Sequence, residues 1–165
     1  MITLASNGPS LEPGIWHGVD GREILYPAVS TCITVSCVAG DKIIGIHLFY
    51  HNQAEKTELD LATFAREVKE QGADVKSVYI VGMLTRSWQA AQKNWTGLFA
   101  DDGTLYTAIR RHLGYQLAMG IYDTSADGPE LNIKATKVQG SISYTYTGSD
   151  DRTVNILPAS FELDV

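Results

Sequence analysis

Cys32 and His47 are the two residues of this sequence whose side chains could act together in nucleophilic chemistry. A cysteine thiolate is a strong nucleophile, and a neighbouring imidazole can take up the thiol proton and later give a proton to a leaving group. The two residues lie in apolar, β-rich runs at about 29–39 and 42–50, which are separated by a Gly-Asp dipeptide. Two residues of this type between two such runs predict a β-hairpin.

The register of this hairpin decides whether the two side chains can meet. If the Gly-Asp dipeptide forms the loop, Thr34 faces His47 across the ladder, and Cys32 lies diagonal to His47 on the same face. Diagonal neighbours of this kind are within roughly 7–8 Å of each other. His51 is the other diagonal neighbour of Cys32, so the hairpin geometry does not choose between the two histidines.

Side-chain alternation divides the hairpin into a semi-polar face and an apolar face. The semi-polar face carries Ser30, Cys32, Thr34, Ser36, Gly45, His47 and His51. The apolar face carries Ile33, Val35, Cys37, Ile44, Ile46 and Leu48. Cys37 is therefore predicted to be a small buried hydrophobe, and its position on the opposite face argues against a disulfide with Cys32.

The segments around the two side chains resemble the active-site hairpin of a superfamily of cysteine-dependent deamidases. The resemblance is carried by Ser30-Thr31-Cys32-Ile33-Thr34-Val35 and by Gly45-Ile46-His47. The superfamily contains the bacterial chemoreceptor glutamine deamidases (CheD), the cytotoxic necrotizing factor toxins and the Burkholderia lethal factor type of toxin. Its nucleophilic cysteine starts a strand, and its histidine follows on the next strand. The gap of 15 residues in this chain fits that pattern and selects His47 over His51.

The resemblance also implies a third element that orients the histidine. Some members use a threonine six residues before the cysteine, and that position is Tyr26 in this chain. Other members use a main-chain carbonyl. The candidates for the third element in this chain are therefore Tyr26, a main-chain carbonyl or another group. Members commonly have glycine beside the cysteine where this chain has Thr31, which would be a poor occupant of a position that needs a positive φ.

What the resemblance implies about function is a protein glutamine deamidase, a thiol hydrolase without a cofactor. The match of the Cys–His gap to the toxin members favours a bacterial effector of virulence that acts on a host protein. The implied partner is a protein substrate with a target glutamine, and we expect a monomer. The alternatives are a chemoreceptor-type deamidase, a transglutaminase, and a catalytically inactive interaction or immunity domain of the same fold.

Length, charge and composition narrow the remaining classes. The chain has 165 residues, a single-domain length, and we treat 1–165 as one domain. Its net charge of −6 disfavours binding to nucleic acid, and no apolar window has the length of about 18 residues that a membrane span needs.

The first 13 residues lack the pattern of a classical signal peptide. These features predict a protein of the bacterial cytoplasm that is exported by another route, with delivery to the host cytosol if it is an effector. No metal-ligand spacing is present.

The hydrophobic pattern along the chain predicts an α+β fold, with β-sandwich-like layers of mixed strands flanked by about three helices. Helices are predicted at 58–70, 85–93 and 104–113, with Thr57 as the N-cap of the first and Gly114 after the last. Strands beyond the hairpin are predicted at 77–83, 116–122, 130–137, 141–147, near 156 and at 161–165. Residues 1–21 are predicted to be turns around a short strand at 2–4, with His17 in a loop.

Overall fold

The computed structural model of the chain describes residues 3–4, 16–50, 54–72, 74–89 and 104–165. Within them two β-sheets pack face to face, and helices cover the outer face of the larger sheet. Each sheet contains both parallel and antiparallel neighbours. The predicted α+β class with sandwich-like layers of mixed strands is thereby confirmed.

The strands divide into a five-stranded small sheet and a six-stranded large sheet. In chain order the strands are β1 (Thr3–Leu4), β2 (Trp16–Asp20), β3 (Glu23–Val29), β4 (Ile33–Ala39), β5 (Lys42–Leu48), β6 (Val75–Gly82), β7 (Met119–Asp123), β8 (Leu131–Val138), β9 (Ser141–Thr147), β10 (Thr153–Ile156) and β11 (Glu162–Asp164). The small sheet has the order β1-β3-β8-β9-β10, and the large sheet has the order β11-β7-β6-β4-β5-β2.

The helices of the described residues are α1 (Ala54–Glu70), a π-helix (Leu84–Trp88), α2 (Leu105–Leu113) and a short 3-10 helix (Pro158–Ser160). In α2 the side chain of Thr104 caps the first turn, and Gly114 ends the helix with a left-handed φ of 63°, which confirms the prediction for Gly114. The N-cap prediction for α1 is wrong, because the helix begins earlier and Thr57 is buried inside it. Of the helix predicted at 85–93, the positions beyond 89 lie outside the described residues.

Both faces of the β4–β5 hairpin are covered, which explains why almost every residue of the two strands is buried. The face predicted to be apolar lies against the helices, where Cys37 belongs to one hydrophobic cluster with Phe64 and Ile109. The opposite face lies against the small sheet, where Val38 clusters with Ile24. A strand that is buried on both sides needs no strict alternation of apolar and polar residues.

The N-terminal region holds more strand than the sequence predicts. Residues 16–20 form β2, which pairs with β5 at the edge of the large sheet, so the loop assignment of His17 is wrong. Residues 23–29 form β3 of the small sheet, and the run predicted at 29–39 is broken between the end of β3 and Ile33. Gly18, Gly21 and Pro27 interrupt the strand pattern of this stretch, and its extended segments pair with the distant strands β5 and β8.

Candidate active site

Cys32 lies at the end of the large sheet where β4 begins and where β5, β6 and β7 finish. Two backbone hydrogen bonds tie this end together: Met83 N–H donates to Cys32 O (3.1 Å), and Thr124 N–H donates to Gly82 O (2.8 Å). Tyr50, in the segment that follows β5, hydrogen-bonds to the Cys32 thiol through its backbone. Strand ends from several parts of the chain thus meet around one thiol, which is an arrangement typical of functional sites.

The register of the β4–β5 ladder is the predicted one. Ala39 pairs with Lys42 and Thr34 pairs with His47, around a loop in which Gly40 has a left-handed φ of 62°. Cys32 comes immediately before the first residue of β4. Cys32 thus lies two residues before Thr34, the ladder partner of His47. His51, the other candidate histidine, lies outside the described residues.

The semi-polar face of the hairpin is buried between the two sheets. The side chains of Thr34, Ser36 and His47 are all 0% exposed. Thr34 satisfies its hydroxyl within the large sheet by donating to Val81 O at 2.7 Å. His47 is therefore enclosed next to the end of β5.

Cys32 itself is only 5% exposed, and its sulfur contacts polar groups of the adjoining backbone. Thr31 Oγ1 is 4.0 Å from the sulfur, and the backbone N–H groups of Tyr50 and Thr31 hydrogen-bond to it. Burial raises the pKa of the Cys32 thiol, and these hydrogen bonds offset only part of that effect. At neutral pH the resting side chain is a thiol and not a thiolate.

His47 lies between two aromatic rings. The Tyr26 ring meets it edge-on, with centroids 6.3 Å apart and an interplanar angle of 84°. The Phe49 ring is 5.8 Å away at 61°. Two ring contacts thus flank the imidazole.

Tyr26, the predicted candidate for the third element, reaches the hairpin from β3 of the small sheet. Its side chain is fully buried, and its hydroxyl forms a hydrogen bond with Ser36 Oγ. It fits there because residue 45 is glycine: a Cβ at Gly45 would lie 1.7 Å from the Tyr26 hydroxyl oxygen. Burial raises the pKa of Tyr26, so the phenol stays neutral. The structure shows Tyr26 touching His47 with its ring while its hydroxyl is occupied by Ser36.

The backbone at position 31 does not have the positive φ that would make threonine a poor occupant. The positive φ in this turn falls on Ala28 (55°), within the irregularity between Tyr26 and Val29, and not on Thr31. The glycine that this site needs is Gly82 on β6, where a Cβ would come within 2.5 Å of Ile33 Cα. Threonine at position 31 is therefore compatible with the backbone.

Several residues around Cys32 were not predicted as part of a site. Ser36 was assigned to the correct face but without a role, and Tyr50, Gly82 and Trp88 were not connected with the thiol at all. Trp88 is 0% exposed. The one sequence signal for Gly82 is a glycine at the end of a buried strand, which marks a close backbone approach.

The comparisons with known proteins do not identify a relative. No protein-family model and no curated protein matches the sequence. Within the described part of the chain, no group of His, Cys, Asp and Glu side chains could hold a metal ion. None of the helices described is long and apolar enough to cross a membrane.

Burial of Cys37 predicts a loss of stability at alkaline pH. Burial raises the pKa of Cys37 to about 12, against about 8.5 in an unfolded chain. The folded state therefore holds the proton more tightly, and its advantage is complete below about pH 8 and is lost as the pH rises towards 12. At about pH 10 we expect this thiol to cost about 2 kcal/mol of unfolding free energy.

Urea unfolding near pH 7 and near pH 10 measures this effect when the wild type is compared with Cys37→Ala. The alanine variant lacks the thiol, so its stability should fall less between the two pH values. Equal losses in both proteins would contradict the assignment of Cys37 as a buried, protonated thiol.

Proposed function

We propose that this protein is a protein glutamine deamidase in which Cys32 is the nucleophile and His47 is the general acid and base. The observation that carries the proposal is the hairpin register, in which β4 begins immediately after Cys32 and Thr34 of β4 pairs with His47 of β5. The 15-residue gap between the two residues fits the toxin members of the superfamily that the hairpin resembles, so we propose a bacterial effector that acts on a host protein.

The first half of the reaction forms a thioester and releases ammonia. Cys32 Sγ attacks the side-chain amide carbon of a substrate glutamine while His47 accepts the thiol proton. His47 then gives a proton to the amide nitrogen, the C–N bond breaks, and ammonia leaves. Because the resting thiol is protonated, His47 acts as a general base during the attack and not as the partner of a preformed thiolate. Hydrogen bonds of this kind are commonly looser before the substrate binds.

The second half of the reaction consumes one water. Water attacks the thioester carbon, His47 accepts its proton, the C–S bond breaks, and the sulfur recovers the proton from His47. The backbone N–H groups of Thr31 and Tyr50, which hydrogen-bond to the sulfur, stabilise the negative charge that the sulfur carries as the C–S bond breaks. Glutamine has then become glutamate, which carries a charge and lacks the two amide donors, so a polar contact of the substrate protein is lost.

The experiment that tests this function is a search for converted glutamines. The purified protein is incubated with host-cell and bacterial lysates, and peptides are compared by mass spectrometry with those from a Cys32→Ala control. Conversion of a specific glutamine to glutamate that only the wild type produces supports the proposal, and the lysate in which it occurs separates an effector from a chemoreceptor-type enzyme. Added methylamine identifies a transglutaminase, because the amine then replaces water in the product.

Burial of the site favours a second candidate, an interaction or immunity-type domain that keeps this fold without the chemistry. The supporting observation is that His47 is fully buried and that burial raises the pKa of Cys32. Such a domain would convert no glutamine in either lysate, and the rate at which its Cys32 is alkylated would not depend on His47. Reactivity of the thiol therefore separates the two candidates without knowledge of the substrate.

Alkylation of Cys32 by iodoacetamide at neutral pH should depend on His47 if the two residues are a catalytic pair. We expect His47→Gln to slow it at least about tenfold, since positioned general bases contribute about 10²–10⁴-fold. Peptide mass spectrometry measures the extent of alkylation at Cys32 and at Cys37 in the same sample. The fully buried Cys37 serves as the control for folding, because it reacts only if the protein opens. An unchanged Cys32 rate in folded His47→Gln favours the inactive domain.

A further inference from the structure

The π-helix that follows β6 holds the backbone on both sides of the thiol. The residue before it, Met83, donates its N–H to Cys32 O, and the residue at its end, Trp88, donates its indole N–H to Thr31 O at 2.9 Å. Two consecutive carbonyls, those of Thr31 and Cys32, are therefore fixed by one short segment. π-helices are rare and are frequently found at functional sites.

Trp88 has a second contact with the surroundings of the nucleophile. Its ring meets the Tyr50 ring edge-on, with centroids 5.2 Å apart and an interplanar angle of 71°. The backbone N–H of Tyr50 is one of the groups that hydrogen-bond to the Cys32 sulfur. A single side chain that is 0% exposed thus touches both residues that contact the thiol, Thr31 by a hydrogen bond and Tyr50 by its ring.

Burial makes these contacts effective. The indole of the fully buried Trp88 needs a partner for its N–H, so its part-buried hydrogen bond to Thr31 O fixes the distance between the π-helix and the turn before β4. Gly82 permits the close approach, since a Cβ there would lie 2.8 Å from Cys32 O. The thiol is consequently held against a rigid support and not on a free loop.

We infer that Trp88 is a positioning residue for Cys32, which it holds through the carbonyl of Thr31 and the ring of Tyr50. The inference rests on the proposed function for its effect on turnover, but its effect on the thiol does not. Displacement of a reacting group by about 1 Å can cost about 10²-fold in rate. Loss of the indole N–H should therefore lower turnover about 10- to 100-fold while the KM for the substrate protein stays unchanged.

The test replaces Trp88 site-specifically by β-(3-benzothienyl)alanine, which keeps the bicyclic ring and substitutes sulfur for the N–H. Trp88→Phe is the genetically encoded second variant. Gln89→Ala is the matched control, because Gln89 is the next residue and is exposed. Each protein is alkylated with iodoacetamide across a pH series, and Cys37 in the same sample reports on folding.

We expect the benzothienyl variant to remain folded and to alkylate at Cys32 about 3- to 10-fold more slowly near neutral pH, with its pH midpoint shifted upward. The upward direction follows because the N–H groups that stabilise the thiolate lose their alignment. Gln89→Ala should match the wild type. A purely structural role for Trp88 would lower stability without moving the pH midpoint of a folded protein.

The outcomes separate this inference from the proposed function. If the folded benzothienyl variant and the wild type have the same alkylation profile and the same rate of glutamine conversion, the positioning role is overturned and the deamidase proposal stands. If the wild type converts no glutamine but the variant still shifts the profile, the deamidase proposal fails and the positioning role is supported.

Discussion

Cys32→Ala is expected to abolish glutamine conversion, with a loss of at least about 10³-fold in kcat, because no other group can form the thioester. Cys37→Ala should retain the activity. The two cysteines are five residues apart, but Cys37 packs among the helices on the opposite side of β4. Release of ammonia and conversion of the target peptide, measured in parallel, give the two rates.

Alanine is a better replacement than serine for this comparison. Serine at position 37 would put a hydroxyl into an apolar cluster, and an unsatisfied buried polar group costs about 1–3 kcal/mol. Loss of activity in Cys37→Ser could then reflect unfolding, whereas Cys37→Ala removes the thiol without adding a polar atom. Urea unfolding of both alanine variants checks that each is folded under the assay conditions.

Two results would contradict the assignment of the nucleophile. Equal loss of activity in folded Cys32→Ala and Cys37→Ala would show that the two faces of the hairpin have been assigned wrongly. Undiminished conversion by Cys32→Ala would show that a thiol at the end of β4 takes no part. Loss in Cys32→Ala alone assigns the reaction to the sheet end at which β4 starts.

The part of the site that could be predicted from the sequence is its local part. Side chains alternate along a strand, and a two-residue loop fixes which positions pair, so the relation between Cys32 and His47 follows from the loop position alone. The caps of α2 are equally local, since Thr104 and Gly114 act on their own helix. Such features need no knowledge of where the rest of the chain goes.

The support of the site could not be predicted because it comes from distant segments. Trp88 is 57 residues from the carbonyl that it holds, and Tyr26 belongs to the other sheet. Nothing in the local pattern brings these residues to the hairpin. The raised pKa of Cys32 has the same origin, since it depends on how completely neighbouring segments exclude water. Residue type and spacing thus predict a possible pair, and long-range packing determines its protonation state.

Gly45 is the position where this long-range packing can be tested most directly. A Cβ there would be 1.7 Å from the hydroxyl oxygen of Tyr26 and 2.9 Å from its Cζ. Tyr26 is 0% exposed and is held by Ser36, so it has no free space into which to move. Gly45→Ala should therefore lower the free energy of unfolding by about 3 kcal/mol, the upper part of the usual range for overpacking.

Two further variants test whether the clash with Tyr26 causes the loss of stability in Gly45→Ala. Gly21→Ala is the control for adding a methyl group to a glycine, because no heavy atom lies within 4 Å of a Cβ at Gly21, and it should change stability by less than about 0.5 kcal/mol. Tyr26→Phe removes the clashing oxygen at the expense of one hydrogen bond, about 1 kcal/mol.

The double variant Gly45→Ala/Tyr26→Phe should be more stable than the sum of the single losses by about 1 kcal/mol or more, because the closest contact no longer exists. Urea unfolding of the four members of this cycle measures the coupling. Additive losses would mean that Tyr26 does not fill the space above Gly45. Because the Tyr26 ring also meets His47, restored stability in the double variant should come with restored dependence of Cys32 alkylation on His47. Packing between the two sheets would then be linked to the chemistry at the end of one of them.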